Sequence, residues 1–234
     1  MSNDSFKFKQ FTVHQSRCAM KVGTDGTLLG AWANVPTGKA RMLDIGTGTG
    51  LIALMLAQRA FEAVVTGIDI DAEAVCQARE NVEASPFASR IQIVQADVAD
   101  YKTESFDVIV SNPPYFVESL TCPDHQRTTA RHTASLTYQT LMRSAFRLLT
   151  DEGRFSVIIP FDCRALLESE ASLTGFFMSR ICSVKTTPKK EPKRYLIEFM
   201  KQPVYELDIS EGVIESMPNT RSEWYQELTK DFYL

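Results

Sequence analysis

From residue 41 to residue 111 the chain repeats one pattern, and that pattern leaves few folds open. A short apolar run rich in Val, Ile and Leu comes first, and a helical stretch or a polar turn follows. Residues 41–45 (RMLDI), 63–69 (AVVTGID), 91–95 and 106–111 (FDVIVS) have the length and β-branched content of buried strands. Residues 51–60 and 72–84 have the length of helices, and Asp71 is placed to cap the second of them. Strands that alternate with helices pair in parallel, because each crossover returns the chain to the same end of the sheet. After a polar, proline-marked stretch at 112–134, the alternation resumes with helix 136–149, strand 153–160 and helix 162–173. Strands 176–184 and 195–200 have no helix between them, which predicts an antiparallel hairpin on one edge. The last thirty residues are acidic and end in an aromatic segment that predicts a docked helix. The expectation is an α/β fold with a mainly parallel seven-stranded sheet, an antiparallel edge hairpin and helices on both faces.

The first strand runs into LDIGTGTGLIAL, which puts Gly46, Gly48 and Gly50 between a strand and a helix. Glycines let the backbone turn sharply and approach a ligand with no Cβ in the way. The spacing is G-x-G-x-G, whereas a dinucleotide fingerprint needs glycine where Leu51 stands. Three acids sharpen the choice: Asp44 precedes the loop, Asp69 ends the second strand and Asp97 follows the third. In a parallel open sheet these strand ends share the ligand-binding edge. Asp69 is placed to accept ribose hydroxyls and Asp97 an adenine amine. Asp44 is placed near an amino-acid ammonium, directly or through water. A cofactor with an adenosine end and a cationic amino-acid end suits this layout, and S-adenosylmethionine has both; a pyrophosphate would not favour so many carboxylates. The bland alternative is a glycine turn with helix-capping aspartates.

The fourth strand runs straight into Asn112-Pro113-Pro114-Tyr115. Two prolines fix φ twice and remove two donors, leaving a stiff, acceptor-rich loop. The Asn112 side-chain oxygen and the Pro113 carbonyl match the two hydrogens of an exocyclic NH₂ group. Accepting both hydrogens favours a pyramidal nitrogen and turns its lone pair toward an electrophilic methyl group, an effect of positioning and electrostatics. Tyr115 offers a ring on which the target base can stack. The alternative is a tight Asn-Pro turn with no chemistry.

Charge and composition exclude other classes. Twenty-five basic and 29 acidic residues give a net charge of −4, which argues against coating nucleic acid through bulk charge but leaves a local basic face open. The five cysteines (Cys18, Cys76, Cys122, Cys163 and Cys182) are odd in number and show no C-x-x-C spacing, as expected of reduced thiols. His14, His125 and His132 are too scattered for a metal site. No signal peptide or membrane span is evident, so the expectation is a cytoplasmic protein with no membrane and no metal partner, monomeric in solution.

Taken in order, DIGTGTG, GIDID, QADV and SNPPY resemble the class I, Rossmann-like methyltransferases of the amino-methylating branch. FTVHQSRCAMKVGTDGTLLGAW at 11–32 and RTTARHTASL at 127–136 extend the resemblance to the bacterial enzymes that methylate N6 of adenosine 37 in a valine tRNA. The resemblance covers essentially the whole chain as one catalytic domain: an N-terminal extension (1–40) over the cofactor site, a core (41–201) and a C-terminal extension (202–234). It implies that Lys21, Gly23, Thr24, Asp25 and Gly26 close over the methionine end of the cofactor, with Asn112 also among the cofactor-binding positions. NPPY-bearing relatives also methylate a glutamine amide in proteins, and guanine-N2 enzymes usually carry phenylalanine in place of Tyr115.

A tRNA substrate needs a phosphate-binding rim. Lys189, Lys190, Lys193 and Arg194 lie in a basic run bounded by Lys185 and Lys201, while Arg127, Arg131 and His132 follow the tetrad. Lys7, Lys9, Arg17 and Lys21 form a third group. Each run read singly is a solvated loop. Phe6, Phe8, Phe11, Phe116 and Tyr138 are candidates for base stacking or for core. Three alternatives stay open at this point: a protein glutamine methyltransferase, a dinucleotide oxidoreductase and a non-catalytic RNA-binding module.

Overall fold

The computed structural model describes residues 4–18, 20–114 and 136–233. The elements run β1 (Ser5–Lys7), β2 (Thr12–His14), α1 (Thr24–Trp32), β3 (Arg41–Ile45), α2 (Leu51–Arg59), β4 (Val64–Asp69), α3 (Ala72–Glu83), β5 (Ile91–Gln95) and β6 (Phe106–Ser111). They continue with α4 (Tyr138–Leu148), β7 (Leu149–Pro160), α5 (Arg164–Thr174), β8 (Phe177–Lys185), β9 (Pro192–Met200), β10 (Asp208–Val213), β11 (Glu215–Met217), β12 (Thr220–Arg221) and α6 (Glu223–Thr229). The expected strands and helices are present, with β7 and β9 starting several residues earlier than expected. Asp71 caps α3 by accepting the Glu73 N–H.

Among the described residues, one sheet carries eight strands in the order β10-β8-β9-β7-β6-β3-β4-β5. Only β9 runs against its neighbours. The eighth strand, β10, lies parallel to β8 and takes the outer edge, so the β8–β9 hairpin is inserted rather than terminal. Its sequence DISEGV is mostly exposed and shows no apolar alternation, which is why it does not read as a strand. Gly212 explains its position: a Cβ there would meet the Trp224 indole of α6 at 2.3 Å, so glycine lets α6 lie against the strand.

Side chains alternate across the sheet as the strand period requires. Met42, Val65, Val108, Val110, Ile158 and Leu196 pack with α1, α2 and α3. Leu43, Ile45, Ile109, Val157, Ile159 and Ile197 pack with α4 and α5. Helix α1 is buried along most of its length, so its apolar residues ring it rather than forming a stripe. It approaches α2 closely because a Cβ on Gly30 would come within 2.7 Å of the Met55 sulfur. Two arginines close helix C-termini: Arg59 donates to the Gly30 and Ala33 carbonyls, and Arg90 to those of Ala57, Ala60 and Ala63. Phe6, Phe8 and Phe11 cluster with Tyr233 and Phe87, with Phe8 and Phe11 fully in the core.

The chain leaves β3 toward β4 on one side and reaches β6 on the other. That reversal opens a crevice at the carboxyl ends of β3, β4, β5 and β6. Among the described residues no helix is long and apolar enough to cross a membrane, and no cluster of His, Cys, Asp or Glu is placed to hold a metal.

Candidate active site

A cavity of about 1090 Å³ sits in this crevice. Its wall includes Lys21, Thr24, Gly26, Gly46, Gly48, Asp69, Asp97, Asn112, Pro114 and Arg194. Asp44, Gly50 and Pro113 are buried behind that wall. Tyr115, Phe116, Cys122, His125, Arg127, Arg131 and His132 lie outside the described residues.

The loop after β3 is wound by its glycines: Gly46, Gly48 and Gly50 have φ of 72°, 53° and 81°. Other residues pay for that left-handed region with roughly 1–2 kcal/mol each. A Cβ on Gly46 or Gly48 would meet nothing within 4 Å, so the space a side chain would take faces the cavity. The Ile68 carbonyl accepts both the Gly46 and Thr47 N–H groups at 2.9 Å, and Asp69 Oδ2 accepts the Gly48 N–H at 2.9 Å. Asp69 Oδ1 accepts the Asp71 N–H at 3.0 Å. A carboxylate has about four lone-pair sites, so two bonds leave Asp69 able to accept from a ligand.

Asp44 is fully buried. Its Oδ2 accepts the Thr47 hydroxyl at 2.7 Å, while Oδ1 has no hydrogen-bond partner among the described residues. Burial pushes its carboxyl up to about 7, opposed by the Thr47 hydroxyl and the nearby Ala53 amide. Thr47 is itself on the cavity wall, so Asp44 faces the cavity from one layer beneath rather than by direct contact. In the ligand-free protein the sign is fixed. A carboxyl raised above its unfolded value adds most stability at low pH and loses it as pH rises from about 4 to about 7. We expect Asp44→Asn to flatten that fall, measured as melting temperature against pH.

Asp97 Oδ1 accepts the Ala99 N–H at 2.9 Å. The loop behind it is fixed by Arg147 of α4, which donates to the carbonyls of Tyr101, Val98 and Ala99. At the end of β6, Ser111 Oγ donates to the Ile45 carbonyl at 2.9 Å, tying the root of the tetrad to the root of the glycine loop. Asn112 and Pro114 are half-buried on the wall, which Leu136, ahead of α4, and Thr140, in its first turn, also line.

The N-terminal segment reaches the cavity by being pinned to α3. Asn81 is fully buried; it accepts the His14 N–H and donates to the carbonyls of His14 and Thr49, each at 2.8 Å. Gln15 Oε1 accepts the Val22 N–H at 2.7 Å, and Arg17 pairs with Glu80 at 2.9 Å. These bonds lead into residues 20–26, which line the same cavity as Gly46 and Gly48. A second cavity of about 1080 Å³, between this segment and α6, shares Val22, Gly23 and Thr24 as its wall.

The basic run divides. Lys189, Lys190 and Lys193 are exposed. Arg194 instead turns inward: it is half-buried, and its Nε donates to Asp25 Oδ2 at 2.7 Å, holding the start of α1 against β9. Lys185 pairs with Glu211, and Lys201 donates to the Leu149 carbonyl.

Residues 25–179 match the family model described as the methyltransferase small domain. The tRNA1(Val) (adenine(37)-N6)-methyltransferase of Phocaeicola vulgatus is 52% identical over 235 residues, covering 100% of this chain and 99% of the relative. The protein of the same name from Bacteroides thetaiotaomicron is 49% identical over 237 residues, again covering 100% and 99%. The chain belongs to this methyltransferase family. Solved methyltransferases share the fold. A predicted O-methyltransferase from Agrobacterium tumefaciens superposes with a TM-score of 0.70 at 20% identity, covering 89% of this chain and 96% of that one. A TehB-like SAM-dependent methyltransferase from Corynebacterium glutamicum gives 0.53 at 18% identity, covering 77% and 89%.

Three residues that shape this methyltransferase site escape a reading of the sequence. Thr47, between two glycines, shows only as loop composition. Asn81 and Arg147 act across 32 and 46–49 positions of chain, and neither belongs to a motif.

Proposed function

We propose that this chain transfers a methyl group from S-adenosylmethionine to the exocyclic N6 of adenosine 37 in a valine tRNA. The observation that carries this reading is the placement of Asn112 and Pro114 on the same cavity wall as Gly46, Gly48, Asp69 and Asp97. Relatives named for that reaction, 49% and 52% identical over 100% of this chain, support it.

The residues present fit the cofactor. Gly46 and Gly48 leave open space, Asp69 and Asp97 suit hydroxyl and amine donors, and the unpartnered Asp44 Oδ1 suits a cationic group held above Thr47. S-adenosylmethionine, when bound, supplies a methyl group made electrophilic by its sulfonium. The Asn112 side-chain oxygen and the Pro113 carbonyl accept the two amine hydrogens of the target base. That holds the nitrogen in one orientation and stabilises the positive charge it would acquire as the methyl–sulfur bond breaks to leave S-adenosylhomocysteine, after which the extra proton leaves to solvent. Residues 1–40 act as the cover of the cofactor site, with Lys21, Thr24 and Gly26 over the amino-acid end. Adenosine 37 enters by leaving its stack, which costs a few kcal/mol and least in a single-stranded loop.

The test is methylation of an unmodified valine tRNA transcript, with the product mapped by nucleoside mass spectrometry. N6-methyladenosine at position 37 supports the reading. Label in protein rather than RNA would favour the glutamine-amide alternative, and N2-methylguanosine the guanine one.

Two further outcomes follow. Affinity for S-adenosylhomocysteine, which keeps the amino-acid ammonium, should rise up to about tenfold between about pH 6 and about pH 8 as Asp44 ionises. Calorimetry on Asp44→Asn should show that rise removed. Charge reversal at Lys190 should weaken tRNA binding and reduce the slope of log K against log salt by about one, the share of one phosphate contact. An unchanged slope would take Lys190 out of the interface. Arg194 is a poor probe of RNA contact, because reversing it breaks the bond to Asp25 beside the cofactor cavity.

A further inference from the structure

We propose that Phe161, backed by Tyr195 and Arg164, is the platform on which a nucleobase next to the target adenosine stacks. This rests on the RNA reading above and adds a contact that neither the tetrad nor the exposed lysines supply.

Phe161 opens a short turn, Phe161–Cys163, directly after β7, and it is 41% exposed. Its ring lies on the Tyr195 ring, with centroids 5.3 Å apart and planes at 21°. The Arg164 guanidinium sits 5.0 Å from the centroid of the same Tyr195 ring and is tied to Glu168 at 2.6 Å. Single exposed aromatic residues are ordinary on protein surfaces. This one differs in being stacked on a buried tyrosine, so its orientation is set before any partner arrives, which cuts the entropy cost of binding.

Register places the stack beside the site. Ser111 of β6 is level with Val157 of β7. Beyond that pair β7 runs three residues further, to Pro160 at the same end of the sheet as Asn112, and Phe161 is the next residue. Pro160 is also paired with Arg194, which lies on the cavity wall. Phe161 itself is not on that wall. A base held in the cavity is therefore not the base that meets Phe161; a neighbour in the same strand is. Stacking is tolerant of base identity, so the platform favours an unpaired loop over a duplex without demanding one sequence.

The test uses the full chain and an unmodified valine tRNA transcript. Phe161→Leu keeps apolar bulk and removes the flat face. It should raise KM for tRNA roughly 5- to 100-fold, while kcat, the Kd for S-adenosylhomocysteine and the melting temperature stay near wild type. Phe161→Trp should retain the wild-type KM. A direct readout places 2-aminopurine beside the target adenosine in an anticodon stem-loop RNA. Its fluorescence should be quenched on binding wild type and not on binding Phe161→Leu. Wild-type KM and quenching in Phe161→Leu would overturn the proposal while leaving the RNA reading intact. A wild-type protein that does not methylate the transcript would overturn both.

Discussion

Replacing Asn112 with alanine is expected to lower kcat by roughly 10²–10³-fold, the cost of removing one preorganised polar contact aimed at the developing charge. The Kd for S-adenosylhomocysteine should stay within a few fold. Most of the cavity wall comes from other residues: the glycine loop, Asp69, Asp97 and the segment at 20–26. The backbone at this position should survive the change, because Ser111 anchors the strand end to Ile45 and Pro113 fixes the next φ. Asn112→Asp keeps an acceptor oxygen in place and should retain more activity than alanine. Single-turnover kinetics with saturating cofactor isolates the chemical step. Near-normal methylation by Asn112→Ala would remove this side chain from the reaction.

The second large effect is on stability. Glu198 of β9 is fully buried among groups drawn from distant parts of the chain. It accepts from Arg154 and Asn34, each at 2.8 Å, and from Ser179 at 2.9 Å, with an Arg180 nitrogen at 3.8 Å. Arg180 also lies over the Trp32 ring, 4.1 Å from its centroid. Glu198→Ala leaves Asn34 without its buried acceptor and takes one of two carboxylates from Arg180, which keeps Asp208 at 3.3 Å; breaking a buried pair costs about 3–5 kcal/mol. Arg154 is partly exposed and recovers water, which pulls the expectation to the lower end. At roughly 2–4 °C per kcal/mol for a chain of this size, the melting temperature should fall by about 10 °C. Glu198→Gln keeps an acceptor and should lose less. An alanine variant within about 1 kcal/mol of wild type in urea unfolding would show that the node holds little.

The legible parts of the molecule are those whose cause is local. A run such as FDVIVS, buried on both faces, can only be a strand, and three glycines before LIALMLA can only turn into a helix. Asp69 and Asp97 were locatable because a parallel sheet aligns its strand ends. Asp44 is legible as the end of the first strand, but sequence does not reveal that Thr47 stands between it and the cavity. Strand β10 was hidden by its polarity, and Gly212 makes sense only with Trp224 beside it. The aromatic residues at 6, 8 and 11 could stack on a base or fill a core, and Tyr233, 222 residues beyond Phe11, helps decide for the core. The run from Lys185 to Lys201 looked uniform, yet strand pairing sends Arg194 inward and leaves Lys189, Lys190 and Lys193 outside.

Asn81 has a consequence for how the molecule responds to occupancy. One amide grips the β2 backbone at His14 and the far side of the glycine turn at Thr49. Whatever steadies the turn must then tighten the β1–β2 ribbon by the same free energy with which the ribbon steadies the turn. Protease resistance of the ribbon should therefore serve as a gauge of how full the crevice is, read at a distance from it.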